Sequence, residues 1–198
     1  MKQRSPGLRS LCVFCGSSPG FDPRHATAAG DLGQLLAEEG ITLVFGGGHL
    51  GLMGIVAEAA LTAGGRVVGV IPRHLMPVEA AFREISELIV VDDMHSRKRR
   101  MFDLADAFCI LPGGLGTLDE TFEILTWRQL GLHGKPIVVV NLGGYWTPLL
   151  ALVDNLVAGG FARPEVHNLL TLVDRVEDVP AAAGGALQRE APVDSALF

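Results

Sequence analysis

The sequence holds 198 residues, 48% of them hydrophobic and 19% charged, with a formal net charge of −6. That length suits one domain with a substantial core, and the sparse charge leaves little room for a disordered polar tail. The acidic balance argues against a partner in nucleic acid or a membrane surface, no apolar run approaches the roughly 18 residues that span a bilayer, and three cysteines make no disulfide framework.

In chain order, short β-branched apolar runs alternate with longer helical ones. Strands are predicted at 11–15, 41–45, 66–71, 88–91, 107–111 and 136–141, and helices at 24–39, 52–63, 96–105, 117–130 and 146–158. Most strand runs lack polar–apolar alternation, as strands covered on both faces do. The alternation with short links predicts one α/β domain over residues 1–198, a doubly wound, mostly parallel sheet with helices on both faces. Residues 175–188 read as a last helix. Residues 1–9 and about 189–198 are expected to be flexible, and a cytoplasmic location is expected.

Four segments of special composition each follow a strand and precede a helix: Gly16-Ser17-Ser18, Gly46 to Gly54, Met94 to Lys98, and Pro112 to Glu120. In a parallel sheet such links emerge together at the carboxyl edge, where open α/β proteins bind ligands. Ser18 either meets ligand oxygens or closes a turn. The second segment matches G-x-G-x-x-G at Gly46, Gly48 and Gly51. A dinucleotide site also wants an acidic residue at the end of the next strand, and that strand ends Val70-Ile71-Pro72-Arg73. The turn, with Gly47 in it, is therefore an anion cradle, a packing device, or part of an NADP-like site that uses Arg73.

The turn Pro112 to Thr117 enters a helix and makes a second anion pocket, from Gly113, Gly114, Gly116 and Thr117. No Gly-Lys-Ser/Thr follows, so it is not a Walker loop. Thr117 and Glu120 also fit the spacing of a capping box. The run Arg97-Lys98-Arg99-Arg100 cannot share one helical face, because successive residues point about 100° apart. Two should face the cleft and two the solvent, which argues against nucleic acid as a partner. Cys12 and Cys15 are spaced C-x-x-C within a strand, where residues three apart face opposite sides. With no H-x-x-x-H or H-E-x-x-H among the six histidines, they read as core cysteines and no metal site is expected.

With these motifs together, the chain resembles the LOG ("lonely guy") family of cytokinin riboside 5′-monophosphate phosphoribohydrolases. The resemblance runs from Cys15-Gly16-Ser17-Ser18 to about Val173. It rests on Gly46-Gly47-Gly48, Gly51-Leu52-Met53-Gly54, Val70-Ile71-Pro72 with Leu75-Met76-Pro77 and Glu79, Met94-His95-x-Arg97-Lys98, and Pro112-Gly113-Gly114-x-Gly116-Thr117-x-x-Glu120. It implies a homodimeric Rossmann-like fold that needs no metal or organic cofactor. The implied reaction cleaves the N-glycosidic bond of AMP or an N6-isopentenyl-AMP type of nucleotide, releasing free base and ribose 5-phosphate. Arg97 and Glu120 correspond to the family's catalytic pair. Its substrate-contacting positions fall on Glu79, Arg97, Lys98, Gly114 to Glu120 and Thr126, with Met94 beside them in the signature. The stretch 80–84 departs from the family's usual glycine-containing sequence.

Cleaving a ribosyl–purine bond builds positive charge on the sugar and negative charge on the departing base, and a carboxylate at the anomeric carbon stabilises the first. Glu120 is expected in the first turn of its helix near Arg97. Both influences favour its ionised form and suit a base or electrostatic stabiliser, not a general acid. The same turns also suit a carrier of a nucleotide or molybdopterin-type cofactor without hydrolysis. A pyridoxal-phosphate decarboxylase would need a Schiff-base lysine, and among Lys2, Lys98 and Lys135 only Lys98 lies near the expected site.

Overall fold

The computed structural model describes residues 7–187. The chain runs β1 (Ser10–Phe14), α1 (Pro23–Glu39), β2 (Thr42–Phe45), α2 (Gly51–Thr62), β3 (Val67–Pro72), β4 (Glu87–Val91), α3 (Met94–Leu104), β5 (Ala107–Ile110), α4 (Leu115–Gln129), β6 (Ile137–Val140), α5 (Thr147–Ala158), β7 (Thr171–Val173) and α6 (Val179–Leu187). The strands form one seven-stranded sheet in the order β4-β3-β2-β1-β5-β6-β7, and every neighbouring pair is parallel. The α/β expectation therefore holds.

The central strands are buried throughout, with Leu11, Cys12, Leu43, Phe108 and Ile137 wholly inaccessible. Alternate residues feed two cores. Leu11, Val13 and Leu43 pack with Leu32 of α1, Leu52 of α2 and Ala183 of α6. Cys12, Phe14 and Phe108 pack with Met101 of α3, Ile124 of α4 and Leu149 of α5. Cys12 and Cys15 fall in different cores, and both are buried and free. Both pack in the core as expected, although Cys15 falls one residue beyond the end of β1. Burial pushes their thiols well above the ordinary cysteine range.

Three expectations need correction. β7 has no apolar run to betray it: only three residues long, it lies on the sheet edge with Thr171 and Leu172 exposed. The end of the chain's described part is a 3₁₀ turn at Val176–Asp178 followed by α6, not one helix from 175; Gln188 lies outside the described residues. Of the termini expected to be flexible, 1–6 and 189–198 also lie outside the described residues. Leu8 and Arg9, however, are anchored: Leu8 is buried and the Arg9 N–H donates to Asp106 Oδ2 at 2.9 Å. Among the described residues no helix is long and apolar enough to cross a membrane.

The topology positions the site. The chain winds outward from β1 to β4, then returns to lay β5 on the other side of β1. The links leaving β1 and β5 thus diverge to opposite faces and open a crevice at their carboxyl ends, as such switch points do.

Candidate active site

Five segments meet in that crevice. A pocket of about 160 Å³ is lined by Cys15, Gly16 and Ser17 after β1, Met53 of α2, Glu79 from the β3–β4 link, Arg97 of α3, and Gly114, Leu115, Gly116, Thr117 and Glu120 of α4. A second pocket of about 420 Å³ adjoins it through Gly16 and Gly114 and includes Ser18, Gly113 and Tyr145.

Arg97 is the fixed point. Asp93 caps α3 by accepting from the Ser96 N–H at 2.7 Å, which starts the helix two residues before its expected position. Arg97 then projects inward and is only 4% exposed. Its Nε donates to the Val70 carbonyl at 3.2 Å, and Nη2 donates to the Gly46 carbonyl at 2.8 Å and to Glu79 Oε2 at 3.2 Å. Nη1 lies 3.8 Å from Met94 Sδ. A guanidinium cannot be buried without such partners, and here two backbone carbonyls and one carboxylate supply them.

This arrangement settles the glycine turn at 46–48. A Cβ on Gly46 would overlap the Arg97 guanidinium, and one on Gly48 would press on Glu79 at 3.0 Å. Gly47 adopts φ +76° and is closed in by Ile71 and Leu88. The turn is closely packed by protein and seats Arg97, and none of Gly46, Gly47 and Gly48 lines either pocket.

The other glycine turn is open. Gly114 is the N-cap of α4, with no side chain capping the helix, and Gly114, Leu115 and Gly116 are exposed. The first N–H groups of an α-helix have no intrahelical acceptor and carry a partial positive charge, so this end suits an anion. Thr117 is the third helical residue and not the cap, which rules out the capping box. Glu120 lies in the second turn, not the first. Tyr145 braces the loop by donating from its hydroxyl to the Gly113 carbonyl at 2.7 Å.

The ionisation expected for Glu120 is also corrected. Arg97 pairs with Glu79, and burial of the Glu120 carboxyl, assisted by the charges of Glu79 and Asp119, outweighs the pull of Arg97 and Lys98. Its pKa is pushed up to about 7. Desolvation wins because no donor is committed to this carboxylate.

The basic run divides as helical geometry demands: Arg97 is buried, Lys98 partly so, and Arg99 and Arg100 exposed. Lys98 Nζ is held 3.2 Å from Asp119 Oδ2 and 3.1 Å from Glu123 Oε1 of α4. Burial opposes the Lys98 charge, but those two carboxylates more than offset it and hold its pKa above the ordinary lysine value. Thr126 stands two turns farther along α4, donating to the Phe122 carbonyl at 2.7 Å. Lys98 and Thr126 therefore lie outside the pocket that gathers Arg97, Glu120, Glu79, Gly114, Gly116 and Thr117. The Gly46 and Val70 carbonyls went unforeseen, since backbone acceptors leave no mark in residue identity.

Comparison with known proteins agrees with this geometry. A family model described as "Possible lysine decarboxylase" matches residues 53–183. The chain is 44% identical over 181 residues to the cytokinin riboside 5′-monophosphate phosphoribohydrolase of Rhodococcoides fascians, covering 91% of each. It is 44% identical over 168 residues to the enzyme LOG of that name from Oryza sativa subsp. japonica, covering 85% of this chain and 69% of that one. In fold it is similar to the molybdenum cofactor carrier protein of Chlamydomonas reinhardtii, with a TM-score of 0.70, 21% identity, and coverage of 92% of this chain and 99% of that one. At that identity the carrier shares the fold alone, whereas these sequence relatives are 44% identical over 85–91% of this chain. The chain accordingly belongs to the LOG family of cytokinin riboside 5′-monophosphate phosphoribohydrolases.

Proposed function

We propose that the protein hydrolyses the N-glycosidic bond of an adenosine 5′-monophosphate, N6-substituted in the cytokinin class, to free base and ribose 5-phosphate. The observation that carries the reading is the convergence of Arg97, Glu79 and Glu120 beside an uncapped helix N-terminus, in a chain about 44% identical to enzymes of that name.

In this reading the 5′-phosphate lies on the free N–H groups of Gly114 to Thr117. The anomeric carbon then faces Glu120. With a pKa of about 7, Glu120 populates both forms at neutral pH. That is the range in which a carboxyl group both accepts and returns a proton efficiently. Its carboxylate form steadies the oxocarbenium-like sugar and orients the attacking water. Arg97 is tied to two carbonyls and Glu79, so it acts as a fixed positive charge and does not swing with the substrate. Glu79, Gly116 and Thr117 complete the proposed substrate contacts in the pocket; Gly113 and Ser18 border the adjoining pocket, and Met94, Lys98 and Thr126, which line neither, are proposed from the family correspondence. Gly47 contributes through packing. Water and these groups suffice for hydrolysis, so no cofactor is invoked. The protein works in the cytoplasm as a homodimer, a reading supported by the family resemblance.

Product analysis tests this. Purified protein incubated with AMP and with N6-isopentenyl-AMP should release base and ribose 5-phosphate in equal amounts, and Glu120→Gln should abolish release while still binding nucleotide. Folded protein that releases no base from either nucleotide would overturn the reading in favour of a carrier.

A further inference from the structure

Glu79 is the one charged residue of the pocket carried by neither a helix nor a strand. It sits in the link between β3 and β4, after a single 3₁₀ turn at Arg73–Leu75, yet its carboxylate is held to 3.2 Å from Arg97. The link is strained as well: Ala80 adopts φ +48°, the only positive φ outside glycine among the described residues. A non-glycine residue persists there only when its surroundings over-determine it.

What determines it is the turn after β2. The His49 N–H is shared between the Glu79 and Ala80 carbonyls at 3.0 Å each, and the Phe82 N–H donates to the Gly47 carbonyl at 2.9 Å. Gly48 and Ala81 form an isolated bridge. Over these bonds the rings of His49 and Phe82 stack, with centroids 4.0 Å apart and planes 15° from parallel. Phe82 is 6% exposed, while His49 is exposed. The imidazole thus ties the turn after β2 to the link through side chains, at the same two residues, His49 and Phe82, whose backbone N–H groups bridge turn and link. It touches neither the pocket nor Arg97.

We infer that the His49–Phe82 stack is a clasp that positions Glu79, and through it Arg97, making His49 and Phe82 positioning residues for the reaction. Its kinetic consequences rest on the proposed hydrolase function; its structural ones do not. Removing the ring at the exposed position 49 leaves the core intact, frees the link and lets the Glu79 carboxylate drift. Misplacement of about 1 Å at a reacting site costs up to roughly 100-fold in rate.

The test is His49→Ala beside His49→Phe, read by amide hydrogen exchange and by kinetics with AMP and N6-isopentenyl-AMP. In His49→Ala the Ala81 and Phe82 amides should exchange at least ~10-fold faster, kcat should fall ~10-fold, and KM should stay within ~3-fold. His49→Phe should restore both. In a Glu79→Gln background the same His49→Ala change should lower kcat by less than ~2-fold, because the clasp acts through that carboxylate. Unchanged exchange at Ala81 and Phe82, or full multiplication of the two losses, would overturn the clasp. If the parent turns over neither nucleotide, the hydrolase reading fails alone, and the exchange comparison still decides the clasp.

Discussion

One guanidinium nitrogen joins Arg97 to Glu79: Nη2 lies 3.2 Å from Oε2, with 5% of the arginine side chain and 18% of the glutamate side chain exposed. The same nitrogen donates to the Gly46 carbonyl at 2.8 Å. A buried pair of this kind adds little net stability, but breaking it leaves an uncompensated charge. Its use is to hold a positive charge still.

Arg97→Met should therefore destabilise the fold as well as silence it. It strands the Glu79 carboxylate and the carbonyls of Gly46 and Val70, at a cost of about 3 kcal/mol. The urea midpoint at pH 7 reads this directly. Glu79→Gln keeps an acceptor for Arg97 and should cost less than half as much.

The raised pKa of Glu120 makes a signed prediction. Its folded value of about 7 exceeds the ordinary 4.5, so the native state holds the proton more tightly. The stabilisation is complete below about pH 4.5 and lost as pH rises through about 7. Well above pH 7 the ionised carboxylate costs the fold about 3 kcal/mol relative to a neutral group. Glu120→Gln should then be more stable than the parent at pH 8.5, with the difference shrinking towards pH 4.5. Urea titrations at the two pH values measure it, and a difference independent of pH would contradict the assignment.

Gly46→Ala should disable the site without adding or removing a charge. The new Cβ would overlap the Arg97 guanidinium and press on Met53 Sδ at 3.2 Å. Arginine must leave its seat, and turnover should fall at least about 100-fold. A crystal structure of the variant should show Nη2 detached from the residue 46 carbonyl.

Ala80→Gly should act in the opposite direction. Ala80 is exposed and its φ of +48° disfavours any residue with a Cβ. Relieving that strain should raise stability by about 0.5–1 kcal/mol, net of glycine's greater freedom when unfolded. Thermal unfolding should show Tm rising by a few degrees.

Lys98 should decline Schiff-base chemistry. Its ammonium is held by Asp119 and Glu123, and its pKa lies above the ordinary value, whereas a nucleophilic lysine needs a free, lowered-pKa amine. Treatment with pyridoxal phosphate and borohydride at pH 7 should leave Lys98 unmodified by peptide mass analysis.

Much of this molecule was legible in the order of its residues. Five of the seven strands, β1, β2, β3, β5 and β6, announce themselves as unalternating apolar runs because both sheet faces are covered; β4, partly exposed at the sheet edge, is still marked by its apolar run, and the helices between most of the strands predict the parallel topology. β7 escaped because a three-residue edge strand is held by its neighbour's backbone more than by its own side chains. The carboxyl-edge location of Arg97, Glu120 and the two glycine turns was also readable, since strand–turn–helix order fixes which end of the sheet each link leaves. So was the division of the basic run at 97–100, which needs only the helical repeat.

Only the tertiary structure decided what those residues do to one another. Two glycine turns of similar composition came out opposite: the one at 46–48 is filled by Arg97 and Glu79, and the one at 113–116 stays open at a helix end. Composition cannot separate them, because the difference lies in which distant side chain arrives over each. Glu120 shows the same limit. Its expected place at a helix start near Arg97 favours an ionised carboxylate, but burial, set by five segments converging from across the chain, pushes it up to about 7. Local pattern determines element and edge; desolvation and the pairing of charges belong to the assembled fold.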